Sequence, residues 1–423
     1  MNNNQLKEKI TLSTQWLGEI YGNTNSEIQK ERYLKAVDKF SEIYGAGESV
    51  QIFSAPGRTE ICGNHTDHNY GKVVAGSVNL DVIAVVCPNN SDIINIQSEG
   101  YPEDSVNINE NDVIDSEINK SISLIRGTVS RFKELGYNVG GFNAYTTTNV
   151  LKGSGLSSSA AFEVLVGTIL NHLYNNGEIS PVQIAKIAQF AENKFFGKPC
   201  GLMDQMASSV GGIITIDFED ENNPVIEKID FDFSSQGYSL CIVDTGGNHA
   251  DLTNEYASIP GEMKAVANHF GKEVLRKISK QDILDNITVL REKFGDRAVL
   301  RTLHFFDENE NVVNQAAALK NNDFATFLLY SKKSGNSSYK YLQNVYANIA
   351  PNEQGISLAL YAAENLLNGK GACRVHGGGF GGTTQNFVPN EQVSVFKDGI
   401  EKIFGKNKCH VLIIRKFGGI KVF

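Results

Sequence analysis

Five of the six residues from Gly377 to Gly382 are glycine, within Arg374-Val375-His376-Gly377-Gly378-Gly379-Phe380-Gly381-Gly382-Thr383. No stable helix or ordinary strand tolerates that density, because glycine loses more conformational freedom on ordering than any other residue. The segment reads as a loop where backbone closely approaches something else. A second turn, Gly153-Ser154-Gly155-Leu156-Ser157-Ser158-Ser159-Ala160-Ala161, runs directly into apolar helical sequence. Glycine accounts for 40 of 423 residues, above the usual ~7%, and the excess is clustered.

The rest of the composition bounds the class. With 41% hydrophobic and 21% charged residues, the chain can bury a core, and its length suits two or three domains. The net charge is -9, with no Lys/Arg-rich run, which argues against a nucleic-acid partner. Anionic ligands must then be held by local donors. Cys62, Cys87, Cys200, Cys241, Cys373 and Cys409 are dispersed and form no CxxC pair, so they read as reduced thiols. MNNNQLKEKI lacks an apolar signal core and no run is long enough to span a bilayer. The expectation is a soluble, cytoplasmic protein without a membrane partner.

Hydrophobic period sets the element order. Residues 1–46 read as a polar helical extension, with Tyr33, Leu34, Val37, Phe40 and Tyr44 on one face. Val50–Ser54 reads as a strand ending at the turn signal Pro56-Gly57. Val78, Leu80, Val82, Ala84 and Val86 alternate as a second strand. A helix carries Ile122, Ile125, Val129 and Phe132. A strand at Phe142–Thr147 leads into the Gly/Ser turn, and a helix follows over Ser158–Tyr174. The next helix has Ser180 as N-cap and Pro181 in its first turn, and ends near Gly197. Strands are expected at Gly212–Phe218, Leu240–Val243 and Val411–Ile414, with mostly helical sequence between Val243 and residue 345 and again over Ile356–Leu367. Mixed strands and helices without a repeat give an α/β or α+β fold in two lobes.

Three segments carry chemistry. The Gly153–Ala161 turn presents a helix start, whose free N–H donors and positive dipole end suit a phosphate. Its serine hydroxyls suit Mg²⁺ or phosphate oxygens. No Lys-Ser/Thr follows the glycines, so it is not a Walker A loop. The Gly377–Gly382 loop is the second. The third is Ser54-Ala55-Pro56-Gly57-Arg58-Thr59-Glu60-Ile61-Cys62-Gly63-Asn64-His65-Thr66-Asp67-His68-Asn69-Tyr70-Gly71, which sets Arg, His and Asp between glycines, as a polar pocket would. A metal at His65, Asp67 and His68 would need a distant matching cluster, and none is visible.

In this order, with Pro199-Cys200-Gly201-Leu202-Met203-Asp204-Gln205 and Asp244-Thr245-Gly246…Tyr256 between them, these segments resemble the GHMP kinase superfamily and specifically the galactokinase family. The resemblance runs from about Phe40 onward. It implies a two-lobed GHMP kinase fold with the active site between the lobes: residues 1–46 an extension, 47–228 the N-terminal and 229–423 the C-terminal domain. It implies ATP-dependent phosphorylation of a sugar's anomeric hydroxyl by a monomer or weak oligomer whose partners are the sugar and ATP. ATP phosphates would sit on Gly153, Ser154, Gly155, Leu156, Ser157, Ser158, Ser159 and Ala160. Mg²⁺ would be held by Ser159 (Ser158 being the alternative) and Glu192. Asp204 would be the catalytic carboxylate and Arg58 its partner. A carboxylate can accept the hydroxyl proton while a guanidinium stabilises the developing oxyanion. The sugar would be bound by Asn64, His65, Asp67, Gly201 and Tyr256.

The chain departs from the family signature in places. Gly-Glu-His-Thr-Asp-Tyr is here Gly63-Asn64-His65-Thr66-Asp67-His68, and Val-Asn-Leu is Thr59-Glu60-Ile61. An Arg pair that usually follows the pocket tyrosine is missing, with Pro260-Gly261 nearby. The lost glutamate would accept from the sugar 6-hydroxyl, whereas asparagine is neutral and can also donate. Galactose or a close relative is the expected substrate, and galacturonate is the alternative. A non-catalytic sugar sensor and another GHMP small-molecule kinase are weaker readings, given intact Ser159-Ala160, Asp204 and the His65-Thr66-Asp67 segment.

Overall fold

A computed structural model describes residues 1–151, 155–198, 200–220, 222–247 and 252–423. Among the described residues, strands form one eight-stranded and one four-stranded sheet. The first runs Ile420–Lys421, Gln51–Cys62, Lys72–Pro88, Phe142–Thr148, Ile93–Ser98, Glu103–Asn107, with Ile213–Asp217 and Val225–Ile229 branching from the start of Lys72–Pro88. Its described pairings are antiparallel except Ile93–Ser98 with Phe142–Thr148. The second runs Cys409–Leu412, Tyr238–Asp244, Thr383–Pro389, Ala372–His376, all antiparallel.

Both faces of the first sheet are covered, which explains why its central strands are apolar at nearly every position. Phe53, Ala55, Ala84 and Val86 point into the main core with Val164, Leu165 and Ile169 of the helix Ser158–Tyr174. The alternate residues Ile52, Ile83 and Val85 pack on the other face against Leu6, Ile10, Leu17, Tyr21, Tyr33, Val37 and Phe40. A period of two with both phases apolar is the mark of a strand buried on two sides. The N-terminal segment supplies that second cover. It is three helices rather than one, Asn3–Leu12, Thr14–Tyr21 and Ser26–Tyr44, broken at Ser13 and at Gly22 with φ of 84°.

The cover is also pinned by charge. Asp81, wholly buried, accepts hydrogen bonds from Tyr21, Ser54, Arg32 (2.6 Å) and Arg415 (3.0 Å). Burial would raise its pKa, but Arg32 and Arg415 hold it below the ordinary carboxylate value.

One expectation fails locally. Pro56-Gly57 does not end a strand: Gln51–Cys62 runs through it, with register breaks between Pro56 and Arg58 and between Glu60 and Cys62. Between Pro56 and Arg58 the paired strand advances from Asp81 to Ser77, so its extra residues form a bulge opposite Gly57, and bulges re-aim side chains. Gly57 is required because a Cβ there would lie 2.8 Å from the Leu156 carbonyl. Arg58 N–H donates to that same carbonyl at 2.9 Å. Other elements match closely, including Ser158–Tyr174, Phe142–Thr148 and Ile213–Asp217. No helix among the described residues is long and apolar enough to cross a membrane.

Candidate active site

The bulge delivers Arg58 to Asp204, in the first turn of the helix Met203–Val210. Arg58 Nε donates to Asp204 Oδ1 and Nη2 to Oδ2, each at 2.7 Å. This two-pronged geometry fits a planar guanidinium against a carboxylate. Arg58 Nη1 also donates to the Gly155 carbonyl. Burial would raise the Asp204 pKa, but Arg58, with a hydrogen bond from Ser157, lowers it instead. About a quarter of the Asp204 side chain stays exposed (26%), so it can meet a ligand.

The Gly/Ser turn reaches the same point. Gly153 and Ser154 lie outside the described residues, as does Pro199. Gly155 has a φ of 68°, and a Cβ there would come within 3.2 Å of His376 and Thr383, below the glycine-rich loop. Ser157 adopts a left-handed φ of 57° and gives its hydroxyl to Asp204 Oδ2 at 2.7 Å. It therefore makes no side-chain cap to the helix it precedes. Its hydroxyl leaves the first-turn N–H groups uncapped, and a helix start of this kind suits an incoming anion.

Behind this turn sits a buried acidic pair. Ser159 Oγ donates to Glu192 Oε1 at 3.2 Å, and Lys198 Nζ approaches the same oxygen at 3.3 Å. Gln205 Nε2 donates to Glu192 Oε2 (2.6 Å) and Glu163 Oε2 (3.2 Å). Burial, reinforced by Glu192, pushes Glu163 well above its usual pKa. Glu192 is the second residue of a single π-helical turn, Ala191–Phe196, that continues the helix Pro181–Phe190 and ends at Gly197. Such turns widen a helix locally and recur at functional sites. Glu163 was not anticipated, although a charged residue four positions after Ser159 on an otherwise apolar helix is a readable signal.

The loop after Gln51–Cys62 brings Asp67 against Gly201, three positions before Asp204. Asp67 and Gly201 line a cavity of about 300 Å³ together with Gln189, Leu202, Lys264 and Glu273. A Cβ at Gly201 would lie 2.2 Å from Asp67 Oδ2, so any side chain there would displace that carboxylate. His65 and Tyr256 face the glycine-rich loop: His65 Nε2–H donates to the Gly378 carbonyl at 3.0 Å and the Tyr256 hydroxyl to the Gly379 carbonyl at 2.9 Å. Among the described residues His65 Nδ1 is buried without a partner, and burial lowers the ring's pKa to about 4, so the neutral ring offers an acceptor there. A larger cavity of about 490 Å³ lies between Phe324–Ser337 and Gly355–Leu367 and shares only Arg374 with these surroundings.

Asn64 is not presented to the cavity. Its side chain is fully buried. Nδ2 donates to the Glu60 carboxylate (3.1 and 3.2 Å) and the Gly377 carbonyl (2.7 Å). Oδ1 accepts from Asn344 (2.8 Å) and Ser338 (3.3 Å). Glu60 is in turn paired with buried Arg374 at 2.8 Å. Asn64 therefore knits the strand to the glycine-rich loop. Among the described residues, no group of three His, Cys, Asp or Glu could hold a metal, His65, Asp67 and His68 included.

Comparison with known proteins identifies the family. A model of the GHMP kinase N-terminal domain matches residues 123–212, and a galactokinase galactose-binding signature matches 38–88. Galactokinase from Glaesserella parasuis serovar 5 is 30% identical over 381 residues, covering 87% of this chain and 92% of that protein. The chain belongs to the galactokinase family. Galactokinase from Streptomyces coelicolor is 29% identical, with the same coverage of both chains. In fold, the Lactococcus lactis galactokinase complexed with galactose superposes with a TM-score of 0.79 at 22% identity, over 92% of this chain and all of that one. The Methanococcus jannaschii mevalonate kinase superposes less closely, at 0.62 and 15%, over 87% of this chain and 99% of that one. The galactokinase-family chain is a kinase with the GHMP fold, a phosphotransferase with an alcohol acceptor.

Proposed function

We propose that this kinase transfers the γ-phosphoryl group of ATP to the anomeric hydroxyl of galactose. The observation that carries the reading is the direct hydrogen bonding of the Arg58–Asp204 pair to the Gly155–Ser159 turn, through Gly155, Leu156 and Ser157. A hydroxyl held at Asp204 would face a phosphate held at that turn. Asp204 orients the hydroxyl and takes its proton as the phosphoryl group arrives. Its lowered pKa makes it a poor resting proton store, in keeping with a loose transition state in which positioning and charge stabilisation dominate. Arg58 keeps Asp204 ionised and stabilises negative charge on the sugar oxygen.

The residues also fit Mg²⁺. Ser159 and Glu192 set a hydroxyl and a carboxylate oxygen side by side, the hard oxygen set this ion prefers. Bound there with the nucleotide, Mg²⁺ would neutralise phosphate charge. Asp67, the Gly201 backbone, His65 through its open Nδ1, and Tyr256 form the proposed sugar subsite. The lobes are taken as residues 47–228 and 229–423. Six free cysteines suit a reducing cytoplasm, and a monomer or weak oligomer is proposed.

Galacturonate is the weaker reading. It rested on an amide replacing a carboxylate at the sugar, but Asn64 is buried and a carboxylate, Glu60, lies beside it. A coupled ADP-release assay over galactose, galacturonate, N-acetylgalactosamine, arabinose and glucose tests the proposal. Turnover with galactose is expected. Activity confined to galacturonate would overturn the substrate, and sugar binding without ADP release would overturn the chemistry.

A further inference from the structure

The loop that carries His65 and Asp67 is held in a costly backbone shape. Gly63, His65 and Tyr70 have φ of 103°, 58° and 61°. Non-glycine residues stay in the left-handed region only when their surroundings enforce it. Here the surroundings are one helix more than 230 positions later, Asp296–Lys320. His304 Nε2–H donates to the Asn64 carbonyl at 2.9 Å. Glu308 Oε1 accepts the consecutive backbone N–H groups of Gly63 (3.0 Å) and Asn64 (3.3 Å). Asn309 Oδ1 accepts the N–H of Lys72 at 2.6 Å, where the loop re-enters the sheet. Positions 304 and 308 share one helix face, and Asn309 adjoins it.

These groups are themselves fixed. Ser334 and Asn311 donate to Glu308 at 2.5 and 3.1 Å, and Ser337 Oγ meets His304 Nδ1 at 2.8 Å. His304 and Glu308 are fully buried, and neither lines the cavity beside Asp67. Burial would raise the Glu308 pKa, but the His304 ring, Arg374 and the donated hydrogen bonds bring it down to about 2. Two successive N–H groups converging on one oxygen form an anion-binding concavity, and the anion is the protein's own side chain.

We propose that Glu308, supported by His304, is a positioning residue for the sugar: it sets the His65–Asp67 loop, and hence sugar affinity, without acting on the phosphoryl group. The kinetic half of this rests on the sugar-kinase reading above. The structural half does not.

Glu308→Gln and Glu308→Ala are the test, read in two ways. Hydrogen exchange of peptides spanning 62–72 should rise in both variants, while peptides spanning 158–174 keep wild-type protection. In the ADP-release assay, the galactose KM should rise about tenfold in Glu308→Gln and more in Glu308→Ala, since one or more charge-assisted bonds are weakened or lost. The ATP KM and the kcat at saturating galactose should stay near wild type. Unchanged exchange at 62–72 overturns the proposal, as does an unchanged galactose KM. Equal losses for galactose and ATP mean general structural damage and overturn it too. If the wild type turns over none of the sugars, the sugar-kinase reading falls, while selective deprotection of 62–72 still upholds the clamp.

Discussion

Replacing Asp204 by Asn removes one charge and almost no volume, so its consequences can be worked from the geometry. Asp204 receives three donated hydrogen bonds from two residues: Arg58 Nε and Nη2 at 2.7 Å each, and Ser157 Oγ at 2.7 Å on the oxygen shared with Nη2. An asparagine has one acceptor oxygen. Whichever position its NH₂ takes, it faces an Arg58 donor that cannot become an acceptor. Ser157 can rotate, but Arg58 cannot. One charge-assisted hydrogen bond is therefore lost, at a cost of about 1–3 kcal/mol. Arg58 still has the Gly155 carbonyl, so the fold should survive with a melting temperature lowered by a few degrees. Catalysis suffers more. Loss of a positioned proton acceptor typically removes about 10²–10⁴ in rate, or roughly 3–5 kcal/mol of barrier. The assay is ADP release at saturating galactose, with nucleotide affinity measured separately. We expect kcat to fall about a thousandfold with ATP binding within a few-fold of wild type. Turnover within threefold of wild type would refute the assignment of Asp204.

Three further predictions follow from other contacts. Asp81→Asn breaks a buried ion pair to Arg32 and Arg415 and should destabilise the protein by roughly 3–5 kcal/mol in denaturant unfolding at pH 7. Because the folded pKa of Asp81 is lowered, its contribution is complete above the ordinary value of about 4 and lost as pH falls below it, so the gap between wild type and variant should close in acid. Gly201→Ala puts a methyl 2.2 Å from Asp67 Oδ2, and displacement of that carboxylate should raise the galactose KM about tenfold or more while sparing the ATP KM. Glu192→Gln should raise the Mg²⁺ concentration needed for half-maximal activity about 10–100-fold in a magnesium titration, and an unshifted curve would remove Glu192 from the metal site.

Local chemistry made much of this site legible from the sequence. A glycine–serine turn before an apolar helix, a capping serine at Ser180 that accepts from Gln183 N at 3.2 Å, and a period of two in the strands all act over a few residues. The family motifs then named Arg58 and Asp204, 146 positions apart, and the structure joins them. What stayed hidden depends on partners with no local signal. Pro56-Gly57 reads as a turn until Leu156 is seen beside it. Nothing local to Asn64 announces its buried partners Glu60, Gly377 and Asn344. His304 and Glu308 sit in an ordinary-looking charged helix, and only the tertiary fold brings them to the Gly63–Asn64 backbone.

The knot around Asp81 has a bearing on how the polypeptide is made. Tyr21, Arg32 and Ser54 emerge from the ribosome before Asp81, whereas Arg415 follows 334 positions later. Until then the carboxylate has one cation instead of two. Contacts so distant in sequence form late, because their loop-closure entropy must be met first. The early sheet would thus pass most of synthesis incompletely neutralised, and its final locking would wait on a segment translated near the end of this sequence.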